Sequence, residues 1–88
     1  MIPDYQSIML PLLKFAGDKN EHSMTEAVES LADFYKLSHD ELNEWLPSKK
    51  QKIFQNRVNW AKAYLKMAGL VENTKRSHFK ITQRGLET

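Results

Sequence analysis

Residues 53–82 have the sequence IFQNRVNWAKAYLKMAGLVENTKRSHFKIT, in which a long helical pattern is followed by a hairpin pattern. The apolar positions of the first part recur at steps of four, three, four and three residues, as Phe54, Val58, Ala61, Leu65 and Ala68. This spacing predicts one apolar stripe along a helix that begins between residues 50 and 53 and ends at Ala68. Gly69 then stands where a left-handed residue closes a helix. Residues 70–72 and 78–82 predict two short strands joined by a polar turn.

A first helix is predicted over residues 4–16, ahead of this stretch. Asp4 supplies a side chain that can cap the free amides at the helix start. Pro11 lies inside the pattern, and we expect it to kink or split the helix because proline lacks a backbone donor. Residues 21–23 then predict a very short extended segment.

Two capping boxes predict two more helices in the front half. One box starts at Ser23 and the other at Ser38, each with a glutamate three residues later. We expect the second helix to carry Phe34 in its apolar stripe. We expect the third helix to be short, to pack Trp45 into the core and to stop at Pro47.

The order of these elements predicts an α+β, mostly helical fold. A helix-turn-helix followed by a hairpin is the arrangement of a winged helix-turn-helix with a small antiparallel β-hairpin as its wing, although plain α+β domains share the order. A last helical turn is expected after Thr82. With 88 residues the chain has the length of one domain, so we expect a single module over residues 1–88.

The amino-acid composition indicates the cellular compartment. The chain has no cysteine, which rules out disulfides and thiolate metal sites and agrees with a reducing compartment. It contains no apolar run near the roughly 20 residues of a membrane helix, and residues 1–5 do not resemble a secretory signal. We therefore expect a cytoplasmic protein without a membrane partner.

Charge is divided sharply between the two halves. Residues 1–46 contain three lysines and nine acids, a net charge of −6, whereas residues 47–88 contain ten basic residues and two acids, a net charge of +8. No acid occurs between Lys49 and Gly69. Chance grouping of solvated charges is the plain alternative, but such a division is typical of a protein whose second half faces a polyanion.

Opposite the apolar stripe, the long helix presents side chains suited to DNA. Asn and Gln pair with adenine, Lys binds guanine or phosphate, and the small Ala63 permits close approach to the groove floor. The hairpin adds basic residues at its expected tip and on one strand, and a lysine cluster precedes the helix. The candidate DNA-binding residues are Lys49, Lys50, Lys52, Gln55, Asn56, Asn59, Lys66, Lys75, Arg76 and Lys80. Arg57, nearer the core, is expected to pair with a front-half acid or to reach a phosphate from the flank.

No catalytic residue, metal ligand set or cofactor is predicted. His22, His39 and His78 lie in separate segments without metal-ligand spacing. The three glycines stand singly, so no phosphate-cradling loop exists. A hydrolase or metal-binding domain therefore has no support in the sequence.

Nine short sequence phrases, spread over almost the whole chain, form a set with a specific order and spacing. They are Ile2-Pro3-Asp4-Tyr5, Met9-Leu10-Pro11-Leu12-Leu13, Leu46-Pro47-Ser48, Asn56-Arg57-Val58, Trp60-Ala61, Tyr64-Leu65, Ala68-Gly69-Leu70, Phe79-Lys80-Ile81-Thr82 and Arg84-Gly85. In this order and spacing the chain resembles the N-terminal domain of Mrr-type restriction endonucleases.

The resemblance implies a winged-helix domain that binds double-stranded DNA and recognises the target of an endonuclease acting on modified, methylated DNA. It also implies a C-terminal nuclease domain in the same chain beyond residue 88, so that residues 1–88 are a non-catalytic N-terminal fragment. The alternative is a protein-interaction or dimerisation winged helix without direct DNA contact, using Trp45, Trp60 or the acidic helices. Oligomeric state is left open, including a homo-oligomer.

Overall fold

The computed structural model describes residues 2–87 and contains five helices and three strands in that range. In chain order the elements are α1 (Tyr5–Ala16), β1 (His22–Ser23), α2 (Met24–Tyr35), α3 (His39–Leu42), α4 (Ile53–Met67), β2 (Val71–Lys75), β3 (His78–Ile81) and α5 (Gln83–Leu86). The α+β, mostly helical prediction is confirmed. The order of elements is compatible with the predicted winged helix-turn-helix, and none of these helices is long and apolar enough to cross a membrane.

Helix starts follow the local capping signals. Asp4 accepts a hydrogen bond from the Ser7 amide at 2.8 Å. Ser23 and Ser38 each form the predicted capping box, in which the serine accepts from the third helical amide and the glutamate accepts from the serine amide. These bonds satisfy amides that a helix start otherwise leaves unpaired. α4 ends at Met67, one residue earlier than predicted, and Gly69 follows with a φ of 78°.

α1 is not split at Pro11, because the helix runs from Tyr5 to Ala16 with the proline inside it, and the kink that was the other expected outcome stays a prediction. The carbonyl of Ser7, four residues before the proline, has no helical amide to bind. It accepts a hydrogen bond from the Tyr35 hydroxyl of α2 at 2.9 Å. A neighbouring helix thus satisfies the group that the proline leaves unpaired.

The core lies where α1, α2 and α4 meet one face of the sheet. Every fully buried side chain in the described range is apolar. The core residues are Ile8, Leu12, Leu13, Ala16, Ala27, Leu31, Ala32, Phe54, Val58, Ala61, Leu65, Val71, Phe79 and Ile81. The predicted stripe of α4 supplies four of them, and Ala68, its expected fifth member, is exposed because it lies beyond the helix end.

The three strands form one antiparallel sheet in the order β1-β3-β2. The hairpin β2–β3 is longer and tighter than predicted, because β2 extends to Lys75 and only Arg76 and Ser77 form the turn. A register shift between Asn73 and Lys75 accommodates an extra residue in β2. The Ser77 carbonyl accepts from the Met24 amide at 2.8 Å, so the hairpin tip is bonded to the start of α2.

Two aromatic residues expected in the core are exposed instead. α3 ends at Leu42, where the Asn43 side chain donates to the His39 carbonyl at 2.8 Å, so the helix does not reach Trp45. Trp45 forms an isolated antiparallel bridge with Lys52 and is 51% exposed. Phe34 is 65% exposed on the outer side of α2. Tyr35, next to it, packs edge-on against Phe54 and takes the inward position.

Candidate nucleic-acid interface

The two faces of α4 differ in burial as the stripe predicts. Its apolar stripe is buried, whereas Gln55, Trp60 and Lys66 on the opposite side and its edges are exposed. Asn56, Asn59 and Ala63 are half-buried. The outer face is therefore exposed along its edges and half-buried at its centre, and residues of α2 and α3 border it only at its start, near Lys52 and Gln55.

A shallow hollow of about 330 Å³ lies on this outer face, and we call it the α4 hollow. It is lined by Gln51, Asn56, Asn59, Trp60 and Ala63. The Asn56 side-chain amide donates to the Gln51 side-chain oxygen at 2.8 Å. Gln51 was not among the predicted site residues, because it precedes the helix and lies outside its periodic pattern. The hollow therefore presents amide groups beside an exposed indole.

A row of aromatic rings supports the indole of Trp60. The Trp60 and Tyr64 ring centroids are 6.1 Å apart, and the Tyr64 ring stacks on Tyr5 of α1 at 4.9 Å with an interplanar angle of 17°. Because Tyr5 belongs to α1, this row links the outer face of α4 to the packing between the two helices. The row holds Trp60 near the edge of the α4 hollow while leaving it 53% exposed.

Lys52 and Gln55 face a different region from the α4 hollow. They line a second hollow together with residues of α2 and α3. The Lys52 ammonium donates to the Asn43 side-chain oxygen at 2.8 Å and lies 5.8 Å from the centre of the Trp45 ring. The Lys52 ammonium therefore already has partners within the protein. Lys52 also lines a different hollow from Asn56 and Asn59.

Lys49 and Lys50 lie in the loop before α4 and are exposed. Lys49 has a φ of 58° and lines a small hollow with Trp45. Within residues 2–87, no side chain caps the start of α4. The positive end of the helix and two free ammonium groups therefore lie at neighbouring positions, an arrangement that favours an anion.

Lys62 and Lys66 add positive charge to the second half of α4. Lys66 is exposed as predicted, whereas Lys62 was not among the candidate residues. Partial burial and the neighbouring Lys66 ammonium both lower the pKa of Lys62. Lys62 and Lys66 are four residues apart and so lie on adjacent turns of one helix face. This spacing is the sequence signal by which Lys62 could have been predicted as a site residue.

The basic residues of the hairpin are not all in one place. Arg76 lies in the two-residue turn, and Lys75 precedes it with its ammonium 3.6 Å from the Glu21 carboxylate. Lys80 pairs across the strands with Glu72 and lines a hollow beside α5 that contains no α4 residue. Lys75 and Arg76 thus lie at the tip of the candidate wing. Lys80 lies away from the tip, on β3 beside α5.

Arg57 makes its hydrogen bonds to backbone carbonyls, while its charge acts on a front-half acid, because it contributes, after the Ser7 hydrogen bonds, to the lowered pKa of Asp4. Its guanidinium donates to the carbonyl oxygens of Ile2 and Pro3, at 3.0 and 3.2 Å. The hydrogen-bonding partner is therefore the front-half backbone, and the expected ion pair is reduced to a charge interaction with Asp4. Arg57 therefore fastens the start of the chain to α4.

The histidines do not form a metal centre. No group of three His, Cys, Asp or Glu side chains in residues 2–87 has the geometry to hold a metal ion. His22 contacts Asp18 at 2.9 Å through one ring nitrogen and Glu26 at 3.3 Å through the other. A single ion cannot use both nitrogens of one ring, so this cluster is a hydrogen-bonded bridge between segments.

Comparison with known proteins gives one finding. A family model described as the Mrr N-terminal domain matches residues 5–88. No curated protein and no solved structure matches the chain.

Proposed function

Because this chain belongs to the Mrr N-terminal domain family, we propose that it is a DNA-recognition module of a restriction protein and binds duplex DNA through α4 and the β2–β3 hairpin. Membership of the family identifies a restriction-system module without catalytic function of its own. We propose that residues 1–88 act as one module. Catalysis by the parent protein would then belong to a nuclease domain outside these residues.

The observation that carries the proposal is the open, acid-free outer face of α4. No acid occurs between Lys49 and Gly69, and no residue of α2 or α3 lines the hollow at the centre of this face. A helix about 10 Å across fits the major groove of B-DNA, which is about 12 Å wide. Amide side chains at the centre of the face and lysines at both ends suit base edges and flanking phosphates respectively.

The positions of the other basic residues support a wider footprint. Lys49 and Lys50 precede the uncapped start of α4, and Arg76 lies at the tip of the hairpin. In the proposed complex these groups bind phosphates on either side of the groove that α4 enters. Lys52 and Lys80 make a smaller contribution, because the first is bonded to Asn43 and the second faces Glu72.

The proposal that the target is modified, methylated DNA rests on the family resemblance alone. We propose that the module recognises such DNA in the parent endonuclease, and that the nuclease domain is its partner in the same protein. Because one module neutralises few phosphates, we expect micromolar affinity from the isolated chain and a strong dependence on salt.

A pair of charge reversals tests the proposed face. Lys49→Glu combined with Lys66→Glu should weaken duplex binding at least about tenfold at low salt and reduce the slope of log affinity against log salt by about 2. A titration followed by fluorescence anisotropy at several salt concentrations measures both. Lys14→Glu with Lys36→Glu changes the charge equally on α1 and after α2, and is the matched control. Equal weakening by both double variants would contradict the assigned face.

Dimerisation is a second candidate function, favoured by an apolar groove between α1 and α2. The groove is lined by Ser7, Leu10, Pro11, Lys14, Phe15, Ser30, Leu31 and Phe34. Leu10 is 58% exposed and Phe34 65% exposed, so both present apolar surface to solvent. The proposed occupant is the same groove of a second copy of the chain.

Charge supports a self-complementary contact at this groove. Lys14 lines the α1 wall, while Glu26 and Asp33 lie one turn before and after Ser30 on α2. A two-fold axis through the groove would bring the lysine of each copy toward the acids of the other. Sedimentation of the chain over a range of concentrations tests this, with Leu10→Ser and Phe34→Ser expected to abolish the dimer. Met67→Ser, also an exposed apolar side chain, is the control that should leave the dimer intact.

A further inference from the structure

We infer that the α4 hollow reads an A·T base pair through the major groove, an inference that rests on the proposed DNA-binding function. The residues that line the hollow are Gln51, Asn56, Asn59, Trp60 and Ala63. They combine side-chain amides with apolar surface and contain no charged group. Such a surface is suited to contact base edges, which carry the DNA sequence, rather than the phosphate backbone.

The bond between Asn56 and Gln51 fixes how one amide faces the groove. With its Nδ2 donating to Gln51 at 2.8 Å, Asn56 keeps its Oδ1 acceptor and the second hydrogen of Nδ2 for another partner. Adenine presents an N6 donor beside an N7 acceptor in the major groove, which is the complement of that pair. Gln51 keeps both hydrogens of its Nε2 for a neighbouring acceptor.

Asn59 supplies a second amide on the next turn of α4. It lines the same hollow, and its side chain makes no hydrogen bond to any described residue. Three residues separate Asn56 from Asn59, so the two amides lie on one side of the helix and face adjacent positions along the groove. An unbonded amide beside a fixed one lets the site read the base pair next to the first.

The groups that read guanine are absent from the hollow. Guanine is recognised mainly by arginine or lysine at its O6 and N7 atoms. Arg57, the arginine of α4, is bonded to the Ile2 and Pro3 carbonyls, and Lys52 is bonded to Asn43. Lys62 and Lys66 lie further along the helix and do not line the hollow. None of these charged donors therefore lines the hollow beside Asn56.

Apolar surface in the hollow matches the second base of the pair. Thymine carries a 5-methyl group in the major groove, which is recognised by apolar contact. Ala63 is small enough to allow close approach, and the indole of Trp60 is supported by the ring of Tyr64. Because this support restricts Trp60 before binding, less side-chain entropy is lost when a base contacts it.

The test compares duplexes that differ in one groove at a time. The full chain is titrated at low salt against alternating A·T, alternating G·C and alternating inosine·cytosine duplexes. Inosine resembles guanine in the major groove and adenine in the minor groove, because it lacks only the 2-amino group. We expect the A·T duplex to bind about tenfold or more tightly than both others. Tight binding of the inosine duplex would overturn the inference, because it would place the reading in the minor groove.

Variants connect the preference to the hollow. Asn56→Ala should reduce the A·T preference to less than about threefold, and Asn59→Ala provides an independent test that leaves the bond to Gln51 intact. Replacing thymine by uracil should weaken binding of the unaltered chain a few-fold but not that of Trp60→Ala. Gln6→Ala is the matched control, since Gln6 is an exposed amide of α1 outside the hollow and outside the candidate DNA-binding residues. A preference that survives both asparagine variants would overturn the inference.

The outcomes for the inference and for the proposed function are distinct. Equal binding of A·T and G·C duplexes would remove the inference and leave DNA binding in place. Absence of binding to every duplex at low salt would remove the proposed function and the inference with it.

Discussion

The hydroxyl of Tyr35 donates to the carbonyl oxygen of Ser7 at 2.9 Å, across 28 residues of sequence. That carbonyl lies four residues before Pro11, where the helix has no amide to offer. Burial and the nearby Asp4 carboxylate raise the pKa of Tyr35, so the hydroxyl keeps its proton and remains a donor. One side chain of α2 therefore compensates for the proline of α1 and joins the two helices.

This relationship predicts a coupling between Tyr35 and Pro11. Tyr35→Phe should lower the free energy of unfolding by about 1 kcal/mol, since it removes the donor and keeps the ring. In a Pro11→Ala background the backbone amide of residue 11 can bond to the Ser7 carbonyl. Tyr35→Phe should then lower the free energy of unfolding by clearly less. Urea unfolding of the four proteins in the double-mutant cycle measures the difference. An equal cost in both backgrounds would show that the bond does not replace the missing amide.

Gly85 is predicted to tolerate no side chain. A Cβ at this position would collide with the Leu70 carbonyl oxygen and would lie 2.7 Å from Ile81 Cγ1. Because the backbone oxygen also accepts from the Thr82 amide at 3.0 Å, it cannot withdraw without losing that bond. Gly85→Ala should lower the free energy of unfolding by about 1–3 kcal/mol. Gln83→Ala, on the exposed side of α5, is the control and should change it by less than about 0.5 kcal/mol.

The bridge formed by His22 predicts a pH window for stability. Burial opposes protonation of His22, but its bonds to Asp18 and Glu26 outweigh this and raise its pKa above 6.5. Hydrogen bonds, from the Asn20 amide to Asp18 and from His22 to Glu26, lower the pKa of each carboxyl below 3.8 and 4.5 respectively. The histidine contribution is therefore full below pH 6.5 and is lost as pH rises through the raised pKa. The carboxylate contributions are present above pH 4.5 and are lost on acidification.

Unfolding experiments from about pH 2 to about pH 9 measure this window, because the carboxylate contributions are lost below pH 4.5 and the histidine contribution is lost above pH 6.5. His22→Gln should remove the decline in stability on the alkaline side and leave most of the decline on the acid side. Replacing Asp18 by Asn and Glu26 by Gln should lower the pKa of His22, which a proton NMR titration of the ring measures directly. If the decline in stability at alkaline pH were unchanged in His22→Gln, another titrating group would be responsible for it.

The contact between Lys75 and Glu21 predicts a variant with increased DNA affinity. A hydrogen bond from Thr74 and the charge of Lys75 lower the pKa of Glu21, so its carboxylate is ionised beside the candidate wing. Glu21→Gln should release Lys75 toward phosphate and raise duplex affinity by up to about fivefold at low salt, given the modest strength of an exposed ion pair. The gain should vanish in a Lys75→Ala background. A gain that persists there would mean that Glu21 acts only through the overall charge.

Arg76→Ala is predicted to weaken binding to every duplex alike. As a residue of the hairpin turn, Arg76 is placed to contact phosphate, which carries no sequence information. Its loss should reduce the salt slope by about 1 and leave the ratio of affinities for different sequences unchanged. Anisotropy titrations of A·T and G·C duplexes at two salt concentrations measure both quantities. A change in the ratio would indicate that the hairpin reads bases.

The local features of the fold were predictable because their partners lie within four residues. The caps at Asp4, Ser23, Ser38 and Thr82 form as their spacing indicates, and the stripe of α4 is buried almost throughout. A cap depends on one side chain and the next helical turn, and a stripe depends only on helical geometry. The division of charge and the open face of α4 follow from the same local information.

The remaining features were decided by packing between segments distant in sequence. Arg57 hydrogen-bonds to the Ile2 carbonyl, 55 residues away, because the start of the chain lies across α4, and the front-half acid Asp4 interacts with it through charge. Phe34 and Tyr35 are neighbours of similar size, and only the position of α1 and Phe54 decides which of them turns inward. The sequence by itself determined which segments are helical and which half is basic. The tertiary structure alone decided which basic groups remain free for a partner, because that depends on where the folded chain brings carbonyls and amides within hydrogen-bonding distance.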